Sequence, residues 1–155
     1  MSDTFSPPVR RLTITTLAAT MAVLGLAAPA RAAANPFTAA QACTNDFGGS
    51  WAYASDGHRT IYAGGTKVGD VYLMYNGANG HNCVVTLKAI SVGSGSGVAA
   101  LLQVEGSSWV VQSDNYKYYA AVDRSAVDKC VKYSGEVMYG TQWFTNGRTS
   151  WGNCG

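Results

Sequence analysis

The chain has 155 residues, only 13% of them charged, and a formal net charge of +2. Three of its 11 basic residues (Arg10, Arg11, Arg31) and one of its 9 acidic residues (Asp3) precede residue 33, which leaves eight basic against eight acidic side chains beyond it. A neutral remainder without a basic patch excludes a nucleic-acid-binding reading, and the absence of any C-x-x-C or H-x-x-x-H spacing excludes the common metal frameworks, so neither metal nor cofactor is expected.

In chain order, residues 1–32 read as a cleaved signal peptide. Arg10 and Arg11 precede an apolar stretch from Leu12 to Ala28, and Ala30-Arg31-Ala32 supplies a small-residue cleavage pattern. The apolar run of 17 residues is shorter than the roughly 20 that span a bilayer, so no membrane attachment is expected after cleavage. Adjacent arginines fit either general or twin-arginine export. Residues 33–155 are then a single secreted domain.

Asn35-Pro36-Phe37-Thr38-Ala39-Ala40-Gln41-Ala42-Cys43 is the one helix candidate, with Asn35 as cap and Pro36 in the first turn. From Trp51 onward the pattern has period two. Val71, Leu73 and Tyr75 alternate with Asp70, Tyr72 and Met74. A turn cluster over residues 76–81 leads into a strand over 83–89, forming a hairpin. Residues 91–97 form a Gly/Ser connector. Val98 to Val104 is apolar on both faces and reads as a central strand. Trp109–Gln112 follows, then a turn at Ser113-Asp114-Asn115 into a strand from Tyr116 to Val122. Short strands over 129–133 and 136–139 close the sheet, and residues 141–155 form an aromatic tail. Seven or eight short strands and one short helix predict an all-β fold, a small antiparallel sandwich or barrel.

Cys43, Cys83, Cys130 and Cys154 are an even set in an exported chain, and disulfides are expected. Four cysteines allow three pairings. Cys83 shares a strand face with Val85 and Leu87, opposite Asn82, Thr86 and Lys88, and so points toward the core. Cys130 shares its face with Lys132 and points outward or to an edge that the tail reaches. These phases favour Cys43–Cys83 and Cys130–Cys154.

No nucleophile elbow, phosphate loop or calcium loop occurs. His58 and His81 lie in turn-like sequence and read as solvated. Glu105 and Glu136 are the only glutamates, and nothing in their spacing makes them a catalytic pair. Asp56-Gly57, Asn79-Gly80 and Asn146-Gly147 read as turns. Four tryptophans and nine tyrosines are the more suggestive feature. Tyr116, Tyr118 and Tyr133 are assigned to the core; Tyr72, Tyr119, Trp143 and Trp151 are the candidates for exposure. Of these, Tyr72, Trp143 and Trp151 are the candidate ligand-binding residues for a stacked sugar.

The stretch from Gly69 to Lys88, with Gly69-Asp70-Val71-Tyr72-Leu73-Met74-Tyr75-Asn76-Gly77 and His81-Asn82-Cys83-Val84-Val85-Thr86-Leu87-Lys88, resembles the spore-associated protein A family of filamentous actinobacteria. The likeness extends to Asn35-Pro36-Phe37-Thr38, Tyr116-Lys117-Tyr118-Tyr119-Ala120 and Lys129-Cys130-Val131-Lys132-Tyr133, and takes in all four cysteines. It departs from the family in the longer, more aromatic tail. The resemblance implies a small exported protein of hyphae or spores and supplies no catalytic residues. The expected function is a secreted, non-enzymatic cell-surface or spore-associated protein, with cell-wall or spore-surface components as partners. The alternatives are a carbohydrate or cell-wall binding module, a small secreted hydrolase using His58 or His81, and a protease inhibitor.

Overall fold

A computed structural model describes residues 33–155; the export signal expected over residues 1–32 lies outside the described residues. One helix, α1 (Ala39–Phe47), precedes eight strands: β1 (Ala52–Ala63), β2 (Thr66–Asn76), β3 (His81–Lys88), β4 (Ser96–Val104), β5 (Val110–Tyr116), β6 (Tyr119–Ser125), β7 (Val131–Tyr139) and β8 (Gln142–Gly152). They form two four-stranded antiparallel sheets. Sheet A has the order β1-β2-β3-β6 and sheet B the order β5-β4-β7-β8. The sheets pack face to face as a sandwich, with β1 beside β8 on one side and β6 beside β4 and β5 on the other. Asn146 Nδ2 donates to Thr60 O at 2.7 Å and Asn153 Nδ2 to Ser55 O at 3.0 Å, tying β8 to β1 across that side.

The inter-sheet core holds Ile61, Val68, Val71, Leu73 and Val84 from sheet A against Val98, Leu102, Val131, Tyr133 and Val137 from sheet B. Two glycines let the backbones approach. A Cβ on Gly135 would stand 2.6 Å from Val71 Cβ, and one on Gly69 would stand 2.8 Å from Val137 Cγ2. Tyr133 is fully buried, and its hydroxyl donates to Asp56 O at 2.8 Å. Arg148 lies over that ring, 5.4 Å from its centroid, and donates to Val131 O at 3.1 Å. This largely buried arginine is held by a carbonyl, a ring face and the exposed Asp56 carboxylate, whose Oδ2 lies 3.8 Å from Arg148 Nη1.

Sheet A is buried on both faces along β3 and much of β2 and β6, while β1 is largely exposed. Its outer face packs against α1 through Ala39, Ala42, Cys43, Trp51, Met74, Cys83, Val85 and Ala121. The Cys43–Cys83 disulfide fastens the helix to β3, and Cys130–Cys154 fastens the chain's end beside the start of β7. The favoured pairing is therefore the one formed. Cys83 is fully buried as its phase implied, but the opposite face of its strand is buried as well. Cys83, Val85 and Leu87 face α1, whereas Val84, Thr86 and Lys88 face the other sheet. Thr86 and Lys88 carry 0% and 1% exposure. Strand alternation identifies two faces but not which one is buried when both are.

Other boundaries also move. Thr38, not Asn35, caps the helix. Its hydroxyl accepts from Gln41 N at 3.2 Å, while Gln41 Oε1 accepts from Thr38 N at 2.9 Å. Asn35 instead donates to Lys88 O at 3.1 Å and Tyr118 O at 2.8 Å. The turn expected at Ser113-Asp114-Asn115 is strand: β5 continues to Tyr116 and the reversal falls at Lys117-Tyr118. Tyr116 and Tyr118 are consequently half-buried rather than core residues. The two strands expected over 129–139 are one, β7, and the tail is β8, with Asn146-Gly147 inside it rather than at a turn. Asp56-Gly57 lies within β1, where the register with β2 shifts between Tyr53 and His58. Among the described residues, no helix is long and apolar enough to cross a membrane.

Candidate binding face

Among the described residues, no helix covers the outer face of sheet B. Alternation from the buried Val98, Leu102, Tyr133 and Val137 puts Leu101, Gln103, Lys132, Ser134, Glu136 and Met138 on this face. Cross-strand partners extend each row. Met138 pairs with Trp143 and Glu136 with Thr145, while Ala99 pairs with Ser113 and Leu101 with Val111. The result is a flat surface four strands wide, with polar side chains among aromatics at its margin.

Trp143 and Trp151 are both exposed, at 43% and 41%. The Trp143 indole extends across β7 onto β4. A Cβ at Gly97 would stand 2.7 Å from its Cη2 and 3.0 Å from its Cζ2, so glycine is what seats the ring over the sheet. Trp151 is held at the other end by Lys132, whose Nζ lies 4.1 Å from the ring centroid. Trp143 faces Met138 and Trp151 faces Lys132. Six residues of β7 separate those positions, a span of about 20 Å. Trp109 is also exposed, immediately ahead of β5, and the sequence reading did not single it out. Alternating tryptophans on a strand would have marked this face, but β8 does not read as a strand in sequence.

Tyr72 lies elsewhere, on the outer face of sheet A, and is half-buried. Its ring stacks on His58 at 4.4 Å with 9° between the planes and meets Tyr53 edge-on at 5.7 Å. His58 Nε2 lies 3.0 Å from Asp70 Oδ1, which also accepts from Thr60 Oγ1 at 2.9 Å, while Lys67 Nζ lies 2.6 Å from Asp70 Oδ2. Burial pushes the Asp70 carboxyl up. The hydrogen bonds from Lys67, His58 and Thr60, with the Lys67 charge, outweigh that and hold it below the ordinary carboxylate range. Burial, with the Asp70 charge, raises the Tyr72 phenol. Tyr119 is likewise half-buried, so two of the four aromatics expected to be exposed are not.

The histidines are strand rather than turn residues, and the His58 side chain stays half exposed. His58 sits in β1 on Asp70, and His81 opens β3 with Nδ1 2.7 Å from Asp123 Oδ2. Their Asp partners come from neighbouring strands, a long-range pairing that local sequence does not display. Glu136 and Glu105 do not converge. Glu136 lies mid-β7, and Glu105 accepts from Cys130 N at 3.4 Å. Those positions are six residues apart on the chain, about 20 Å when extended and beyond the separation a glycosidase pair uses. Among the described residues, no cluster of three His, Cys, Asp or Glu side chains could hold a metal ion. Compared with known proteins, the chain matches no family model, no curated protein and no solved structure.

Proposed function

We propose that this is a secreted, non-catalytic surface protein that adheres to cell-wall or spore-surface polysaccharide through the outer face of sheet B. The carrying observation is the pair Trp143 and Trp151, about 20 Å apart along the strands on one open, flat face with Lys132, Ser134, Glu136 and Thr145 between them. A sugar ring presents an apolar C–H face that stacks on an indole and hydroxyls that hydrogen-bond to flanking polar groups. An extended glycan matches a flat array of both. The protein beyond residue 32 is electrically balanced, so adhesion rests on stacking and hydrogen bonds rather than long-range attraction. The export signal and two disulfides support an extracellular setting. The sequence resemblance to spore-associated proteins supports a hyphal or spore surface within it.

The test is co-sedimentation with insoluble glycans, including purified cell wall, chitin and cellulose. Trp143→Ala with Trp151→Ala should abolish retention on the glycan that the parent binds, while Tyr72→Phe leaves it unchanged. Retention unaltered by the double substitution defeats the assignment of this face.

The hydrolase reading draws on the His58–Asp70 and His81–Asp123 pairs, which resemble the base-and-orienter half of a triad. Among the described residues, no hydroxyl hydrogen-bonds to the second nitrogen of either ring. Hydrolytic activity lost on replacing both histidines would favour that reading over adhesion alone.

A further inference from the structure

A concave site lies on the helix-bearing side, where α1 and the segment ahead of it meet the β5–β6 reversal. The cavity measures about 440 Å³ and is lined by Phe37, Phe47, Tyr118 and Tyr119, with Asp46 and Lys117 also present. Phe37 stands edge-on to both Tyr118 and Tyr119, each centroid 5.3 Å away. Aromatic walls of this kind attract a cation through the negative faces of their rings.

Asp46 gives the cavity its charge. One of its oxygens accepts from Tyr119 Oη at 3.0 Å, and no basic side chain lies within 4.0 Å of either oxygen among the described residues. Lys117, in the same cavity, forms no ion pair with it. Burial raises the Asp46 carboxyl above its ordinary value, and the Tyr119 hydrogen bond offsets part of that. Asp46 is nonetheless exposed, and a carboxylate with no basic partner of its own attracts a cation brought from outside.

We propose that this cavity binds a small monovalent alkylated ammonium, with its positive centre against Asp46 and its methyl groups against Phe37, Tyr118 and Tyr119. Alkylation is favoured because rings offer no acceptor for several N–H groups, and a methylated centre loses less hydration on entry. Lys117 works against polyamines and divalent cations, which would place a second positive charge near its own. Volume also suits the occupant, since the cavity is of the size that encloses a small organic molecule. The site is separate from the outer face of sheet B, so it stands or falls apart from the polysaccharide reading.

The experiment is an NMR titration of the isotopically labelled protein with choline chloride, with 3,3-dimethyl-1-butanol (its uncharged isostere), and with sodium chloride as an ionic-strength control. Choline should shift the Phe37, Tyr118 and Tyr119 resonances saturably, and the isostere should bind at least about tenfold more weakly. Asp46→Asn should weaken choline about tenfold while leaving the near-ultraviolet circular dichroism intact. Phe37→Leu, which keeps an apolar wall but removes its ring, should weaken choline more than the isostere. Equal binding of choline and the isostere, unchanged choline affinity in Asp46→Asn, or no saturable shift at these rings would each overturn the proposal.

Discussion

Replacing Cys130 and Cys154 together by alanine tests how the end of β8 is held. The bridge closes a separation of 24 residues, which in the chain-entropy description corresponds to about 3.5 kcal/mol of stability. Residues 33–155 number 123, so with an unfolding entropy of about 2.1 cal/mol/K per residue the midpoint should fall by about 13 °C. Cys43–Cys83 spans 40 residues and gives about 3.9 kcal/mol on the same basis, plus the loss of helix docking. Its removal should therefore be the more damaging of the two. The local consequence differs as well. Val131 pairs with Gly152, next to Trp151, across an irregular stretch of register. Releasing Cys154 should fray this end and expose Trp151 while the core stays formed. Scanning calorimetry gives the first quantity. Tryptophan emission, compared with a Trp151→Phe background, gives the second. A midpoint unchanged by removing Cys130–Cys154, or a larger loss there than at Cys43–Cys83, refutes the reasoning.

Gly135→Ala should cost about 1–3 kcal/mol, a fall of about 4–12 °C in the midpoint, because the new methyl would meet Val71 between the sheets. Gly65→Ala, with open space around it, should change the midpoint little by the same thermal melt; equal effects would refute the close sheet approach. Gly97→Ala should displace the Trp143 indole and reduce glycan retention in the co-sedimentation assay with a smaller stability loss than Gly135→Ala. Lys88, buried and donating from Nζ to Ser94 O at 2.7 Å and Tyr116 O at 2.9 Å, has its amine pushed below the ordinary lysine value by burial. The unfolded chain then binds the extra proton, so stability relative to Lys88→Met should rise with pH from the depressed folded value up to about 10.4. Paired denaturant titrations across neutral to alkaline pH would show the opposite trend, or none, if Lys88 stays fully charged inside.

The fold class, the helix and the disulfide pairing were legible because each leaves a local mark. Alternation over residues 70–75, the small helix-forming residues 39–42 and the strand phases of Cys83 and Cys130 do not depend on distant partners. Lys88 shows where local marks fail. Placed opposite Val85 and Leu87, it reads as solvent-facing, yet sheet A has no solvent-facing side at that position. Its amine closes the sandwich end by satisfying two carbonyls, partners some 6 and 28 residues away. Residues 142–152 fail for another reason. Asn and Gly are weak strand formers and Asn146-Gly147 reads as a turn, and β8 is strand because β7 pairs with it. Trp143 and Trp151 could therefore be named as exposed aromatics but not placed on one face. Tyr72 was grouped with them on residue type, and the other sheet claims it.

The two sheets divide the protein's labour through what covers them. Sheet A spends its outer face on α1, Trp51 and the Cys43–Cys83 bridge, and its remaining polar cluster at Asp70 is already saturated by Lys67, His58 and Thr60. Among the described residues no helix covers the outer face of sheet B, so most of its outward residues beyond Gly97 and Ala99 are free of packing duty. Such residues tolerate polar substitution at little cost to stability. Trp143 and Trp151 go against that tolerance: large apolar rings left half in water contribute little to the core. One rests on a position only glycine fits and the other on a lysine charge. A fold needing only to be stable gains little by fixing exposed indoles at both ends of an open face. Contact with an external surface gives their fixed orientation a use, because rings already oriented lose less freedom on binding.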